Sequence, residues 1–483
     1  MQYLLAFAAL LVASLPAHPS PLPEPVAARL REATIPMQAV SVSVIRVRDG
    51  TSLLSHRAGE PMPPASTIKP LTLAVALREL GPAWRGRTAL LSSATQEGDV
   101  LKGNLVLRGE ANPDFDEAAL ARMLAGLRAR GVRVIDGDVV LDRSFFEPSR
   151  IDRGVPAFDE APEFRYNAIP DALPVAMQLA GLEIDTRGSR VTAQLHPPLD
   201  GVRIESALEL TDGNCARWDD LWRTPEARES AKGAVVVRLV GKIPRGCMIS
   251  TRVALMDRDR FVERLFRATW SGLGGVWRGR AREARAPEGA RVLAEHFSRP
   301  LSELAFDINK RSDNPVTRLA YLALGTRGGE GATTAERAET MVRQWMRARK
   351  IDDSSLVIDN GSGLSRHERI AAETLAQSLV AAHADRWAPE FLATFPIVAV
   401  DGAMRRRLAE SPAANRARIK TGSLRDVWAV AGFVEDAGGE LLAVAAMIYR
   451  PGAKGTEARA ALDALVDWVA RSNLAAKPDV ASR

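Results

Sequence analysis

The chain has 483 residues, 46% of them hydrophobic and 26% charged, which describes a folded protein of two or three domains and excludes a disordered or fibrous one. The net charge of +6 is dispersed through mixed arginine and glutamate stretches without a basic strip interleaved with aromatics. That excludes a nucleic-acid partner and leaves a mild bias toward anionic surfaces, peripheral to a membrane or on cell-wall polymer.

Residues Leu4 to Ala13 form an apolar run followed by Ser14-Leu15-Pro16-Ala17. The run is too short to span a bilayer and reads as a secretory signal peptide over 1–17, so export to the periplasm is expected. Val40 to Val47 alternates strongly, Asp49-Gly50 turns and Thr51 to Ser55 continues, the pattern of a hairpin. Prolines between Pro61 and Pro64 interrupt the chain before Ser66-Thr-Ile-Lys69, and an apolar-periodic helix follows over Leu71 to Leu80. Pro70 is tolerated only in a first helical turn, which puts the helix start close to Ser66.

A 246-residue interval separates Ser66 from Ser312, rich in strand-and-turn segments such as Gly103 to Gly109, Val132 to Leu141 and Val202 to Leu210. An interval of that size must fold on its own rather than hang as a loop. Cys215 and Cys247 lie beside glycine turns that bracket the strand-like Ala234 to Val240; in an exported chain this even pair predicts a disulfide. Neither cysteine has a nearby histidine, and the six histidines show no ligand spacing, so no metal centre is expected. Beyond the interval, Ser312-Asp-Asn314 precedes Pro315 and a helix over Val316 to Leu324, with further helices over 335–350 and 371–384. Lys420-Thr-Gly422-Ser423 leads into a strand from Val427 to Val434, a turn at Asp436 to Gly439, a return strand from Leu441 to Tyr449 and a closing helix near Gly455 to Ala470. Strands from the two ends of the chain are expected to share one antiparallel sheet flanked by helices, an α+β arrangement. The expected organisation is a discontinuous catalytic domain, 18–90 with 285–483, interrupted by β-rich inserted domains over 91–284 with a nested module at about 176–252.

The chemistry follows from residue types and spacing. On a helix, Ser66 and Lys69 share one face, so the amine reaches the hydroxyl. A serine is a poor nucleophile until a base takes its proton. Lysine can be that base if burial or a neighbouring cation lowers its pKa, and Lys420 is the obvious cation. Only nine of the 65 basic residues are lysines, yet both motif positions keep lysine; arginine could not lose its proton. Ser312 is placed to relay a proton, and Asn314 to accept from a lysine and donate to a substrate carbonyl. Asp313 reads as a helix cap. Lys420, Thr421 and Ser423 form a carboxylate-binding group, Gly422 leaves room for a substrate backbone, and the Ser66 and Ser423 N–H groups are candidates for an oxyanion hole. The catalytic candidates are therefore Ser66, Lys69, Ser312, Asn314 and Lys420, with Thr421, Gly422 and Ser423 as substrate contacts.

The ordered set S-x-x-K, S-D-N, K-T-G resembles that of the penicillin-binding proteins and class A β-lactamases. Further segments resemble one branch, the low-molecular-mass class C penicillin-binding proteins, or D-alanyl-D-alanine carboxypeptidase/endopeptidase family. They include Leu101 to Gly109 with Asn112-Pro113, Gly137 to Asp142, Asn309 to Asn314, Asp359 to Arg366, Asp401-Gly402 and Ile419 to Leu424 with Ala431-Gly-Phe433. The resemblance spans nearly the whole mature chain, including the long interval between the first two motifs. It implies a penicillin-binding/β-lactamase-like fold, no cofactor, peptidoglycan stem peptides and crosslinks as substrates, and covalent inhibition by β-lactams. It also implies a supporting role for Gly361 to Ser365 near the site. Met404 and the segment Phe164 to Pro170 depart from the family's usual residues, outside the motifs. The alternatives are a β-lactamase, against which the long interval speaks, and a non-catalytic peptidoglycan-binding scaffold, against which the retained lysines speak. Oligomeric state leaves no trace in the sequence.

Overall fold

The computed structural model describes residues 21–474 apart from 157, 159, 160 and 232. The leader expected at 1–17 lies outside the described residues.

A five-stranded antiparallel sheet joins the two ends of the chain, in the order Ser52–His56, Val40–Arg46, Leu441–Tyr449, Val427–Glu435, Arg418–Leu424. Alternation with period two explains how it is covered on both faces. Val42, Val44, Val430, Val444 and Ala446 point to one side, against the helices Glu24–Glu32 and Gly455–Arg471. Ala429, Ala431, Phe433, Ala443, Ala445 and Met447 point to the other. There the helices Lys69–Glu79, Leu301–Asn309, Asn314–Leu324, Thr334–Arg347 and Ala372–His383 pack, and the alanines let them come close. The helix Lys69–Glu79 is apolar almost all round, from Leu71 to Leu77, because it is buried on every side. The α+β arrangement read from the alternating strands is the one observed.

Between Glu79 and Leu301 the chain builds further sheets. Arg87–Ser92 pairs with both Leu105–Glu110 and Arg291–Phe297, in a five-stranded sheet completed by Val139–Asp142 and Ala281–Glu283. The exchange points 90/91 and 284/285 read from the sequence fall at or within this sheet's span. The segment Val132 to Leu141, one run in sequence, is two strands, Val134–Asp136 and Val139–Asp142, in two different sheets. Gly137 makes that switch possible, since a Cβ there would lie 2.3 Å from the Gly103 carbonyl oxygen. A smaller pair of sheets follows, one centred on Ala180–Asp185 and one on Val235–Pro244. Cys215 and Cys247 form a disulfide there, with Cα atoms 5.7 Å apart. A buried ionic cluster fixes this region: Arg143 pairs with Asp171 and Asp259, Arg150 with Asp152, Asp257 and Asp259, and Arg258 with Asp152 and Asp171.

Phe433 sits where the sheet meets the helical side, edge-on to Phe391 and Phe395 with ring centroids 6.5 and 5.6 Å away. Phe433→Ala is expected to cost about 3–5 kcal/mol of stability through the cavity it leaves, measured as the shift in urea unfolding.

Candidate active site

Ser66 lies in a 3₁₀ turn, Ala65–Ile68, that runs directly into the helix Lys69–Glu79 with Pro70 in its first turn. The turn is held from outside. Gly422, on the edge strand Arg418–Leu424, lies so close that a Cβ would meet the Pro64 oxygen at 2.8 Å and the Ser66 nitrogen at 3.0 Å. The close approach expected of Gly422 is thus to the serine turn itself. Ala65 and Ser312 both have positive φ, 46° and 60°, a conformation costly for residues other than glycine and retained only where the surroundings enforce it.

Lys69 is fully buried. Its Nζ donates to Ser66 Oγ at 2.8 Å, to Asn314 Oδ1 at 2.7 Å and to the Ser362 carbonyl oxygen. Burial lowers its pKa to about 7, against the attraction of the Glu368 and Asp313 carboxylates. Of the two expected causes, burial and a neighbouring cation, desolvation is the one that lowers the pKa of this amine. Lys420 is buried as well, and its Nζ donates to Ser312 Oγ at 2.9 Å and to the Thr421 carbonyl oxygen at 2.7 Å. Burial, and then repulsion from Lys69, holds its pKa well below the usual lysine range.

All five residues singled out as catalytic candidates meet at this point, in two linked groups. Ser66, Lys69 and Asn314 form one; Ser312 and Lys420 form the other. Ser312 is paired with Lys420 rather than with Lys69. Asp313 caps the helix Asn314–Leu324 by accepting from the Val316 N–H at 2.9 Å, and its other oxygen pairs with Arg165 at 2.9 Å. The Asn314 amide nitrogen donates to the Tyr166 carbonyl oxygen at 3.0 Å, so the segment that departs from family habit buttresses the site. Thr421 is half-buried and Ser423 exposed at the mouth, beside the serine turn.

Two contributors were not recognised from sequence. The Ser362 carbonyl is a lysine acceptor, and Glu368 lies behind it, fully buried. The Gly361 to Ser365 segment carried a signal, but a backbone carbonyl leaves no residue-type signature, and Glu368 is one acid among 59. Gly363, at φ 78°, presses against the serine turn: a Cβ there would fall 1.8 Å from the Ala65 oxygen.

A serine hydroxyl beneath a buried, deprotonatable lysine, on an antiparallel sheet packed between helices, defines the active-site-serine penicillin-binding class. The chain belongs to the D-Ala-D-Ala carboxypeptidase 3 (S13) family, whose sequence profile matches residues 22–472. It is 28% identical to the D-alanyl-D-alanine carboxypeptidase DacB of Haemophilus influenzae over 388 residues, 78% of each chain. It is 27% identical to the D-alanyl-D-alanine carboxypeptidase of an Actinomadura strain over 439 residues, 87% of this chain and 79% of that one. The crystal structure of penicillin binding protein 4 (dacB) from H. influenzae superposes with a TM-score of 0.76 at 23% identity, covering 92% of this chain and 99% of that one. The same protein complexed with a β-lactam superposes with a TM-score of 0.71.

Gly363→Ala is expected to destabilise the fold by at least about 1–3 kcal/mol, because positive φ and a backbone clash act together. Thermal unfolding against the parent checks it; an unchanged midpoint would show that the segment does not press on the serine turn.

Proposed function

We propose that this protein is a penicillin-sensitive serine DD-peptidase that acts in the periplasm, reached by way of a leader at 1–17. It removes the terminal D-alanine from peptidoglycan stem peptides and cleaves D-alanyl-diaminopimelate crosslinks through an acyl-enzyme on Ser66. The observation that carries the reading is the Lys69 amine, 2.8 Å from Ser66 Oγ and with a pKa of about 7. Family membership and the relatives' carboxypeptidase activity support the substrate class, and the β-lactam complex of the H. influenzae relative supports inhibition by that class of drug.

The form of the free enzyme that reacts is the one with Lys69 neutral and Lys420 protonated. Lys69 takes the Ser66 hydroxyl proton as Oγ attacks the carbonyl carbon of the penultimate D-alanine. Backbone N–H groups of Ser66 and Ser423 hold the tetrahedral oxyanion. The carboxylate of the terminal D-alanine rests against the Thr421 and Ser423 hydroxyls, with the Lys420 charge behind them. As the C–N bond breaks, the leaving nitrogen takes the Ser312 hydroxyl proton, and Lys420 replaces it. Water then attacks the ester and passes a proton through Ser312 to Lys420. Ser66 Oγ departs with the proton stored on Lys69, which restores the starting state.

Incubation with benzylpenicillin is expected to add the mass of one drug molecule to the intact protein and none to Ser66→Ala. Lys69→Arg keeps a charge that cannot be released and is expected to slow acylation roughly 10²–10⁴-fold; parent-like acylation would remove Lys69 from the base role. Because only neutral Lys69 accepts the proton, the acylation rate is expected to fall about tenfold per pH unit well below a midpoint near 7 and to level off above it. A rate that stays flat from pH 5 to 8 would contradict the assignment.

A further inference from the structure

Glu368 stands outside the three motifs and is fully buried. Its Oε1 accepts three consecutive backbone N–H groups, from Asp359 at 3.3 Å, Asn360 at 3.0 Å and Gly361 at 2.8 Å. Its Oε2 is equally buried and has no hydrogen-bond partner among the described residues. A carboxylate half-satisfied in the interior is a costly arrangement. It is retained beside a turn that meets the serine helix through two carbonyl oxygens, those of Gly361 and Ser362. The Gly361 oxygen accepts from Thr72 Oγ1 at 2.7 Å. Asn360 Oδ1 accepts from the Ser362 N–H at 3.1 Å and from its hydroxyl at 2.5 Å. The Ser362 oxygen then accepts from Lys69 Nζ. An unbroken run of contacts thus links the Glu368 carboxylate to the amine above Ser66.

We propose that Glu368 is a positioning residue for acyl transfer: its carboxylate pins the 359–361 turn so that the Ser362 carbonyl holds Lys69 on Ser66, and its charge tunes the basicity of that amine. The proposal rests on the reading of Lys69 as the base. Through space, the carboxylate favours the protonated lysine and opposes desolvation. The other charged or titratable groups around Glu368 are Asp359 on its own turn, and Arg318 and Tyr321 on the helix Asn314–Leu324. Those around Lys69 are Asp313 and Lys420. Burial and Asp359 push the Glu368 carboxyl up, while the three N–H groups and Arg318 favour its charged form.

Two variants of the full chain separate the two parts of the role, read as benzylpenicillin acylation rate against pH, with circular dichroism as the check on folding. Glu368→Gln keeps an oxygen for the three N–H groups and removes the charge, so the acid-side midpoint is expected to fall by about one pH unit. Glu368→Asp keeps the charge and withdraws the carboxylate by one methylene. Its midpoint is expected to stay with the parent's while the rate drops about tenfold or more at every pH. A folded Glu368→Gln with the parent's midpoint overturns the proposal, as does Glu368→Asp with the parent's rate. If Glu368→Gln does not fold, Glu368→Asp decides alone by the same criterion. A parent that fails to acylate at Ser66 defeats the peptidase reading instead. A parent that acylates normally beside an unshifted Glu368→Gln defeats only the role of Glu368.

Discussion

The burial of one amine governs the arrangement. An ammonium taken out of water is expensive unless oxygens surround it, and Lys69 has three: the Ser66 hydroxyl, the Asn314 side chain and the Ser362 carbonyl. These come from three segments far apart in sequence, so the chain must bring them together to make the burial tolerable. The incomplete compensation is itself useful. Full pairing with a carboxylate would keep the lysine charged at neutral pH, whereas three neutral oxygens and a desolvated pocket leave it able to give up its proton.

Strain and close packing enforce that geometry. Ala65 and Ser312 occupy positive φ, and Gly363 and Gly422 approach the serine turn from two sides at distances no side chain would permit. The edge strand, the glycine-rich segment and the helix start therefore interlock as rigid backbone. The long inserted portion takes part as well: Arg165 holds Asp313, and the Tyr166 carbonyl takes the Asn314 amide. A region that reads as an appended module thus supplies part of the wall of the site.

Much of this was legible in the sequence, for definable reasons. Val427 to Val434 and Leu441 to Tyr449 read as near-continuous apolar runs because each strand faces a packed helical layer on both sides. Val40 to Val47 alternates valine with small serine, and the Asp49-Gly50 and Asp436–Gly439 turns fix the pairing of these strands. Ser66, Lys69, Ser312, Asn314 and Lys420 were recognisable because their chemistry resides in side chains. The acceptor at Ser362 was not, since every residue has a carbonyl and only the fold decides which one meets an amine. Glu368 was hidden likewise, because burial turns an ordinary acid into a structural one. The pairing of Ser312 with Lys420 instead of Lys69 depended on a backbone conformation that no residue-type pattern announces. The exit from the first segment was blurred because Leu90 and Leu91 are as apolar as the strands before them, though they pair with Val106 and Leu107.

The central sheet places Val40–Arg46 beside Leu441–Tyr449. During synthesis, the first strand emerges roughly 400 residues before its neighbour, while the inserted sheets can close from sequence already delivered. The interlocked serine turn needs Gly422 on the edge strand, and that strand has no sheet to join until the last strands arrive. A nascent chain therefore carries Ser66 and Lys69 for most of its emergence without a working nucleophile, and becomes a hydrolase only on completion. The topology acts as a timer that withholds hydrolytic activity from every unfinished copy.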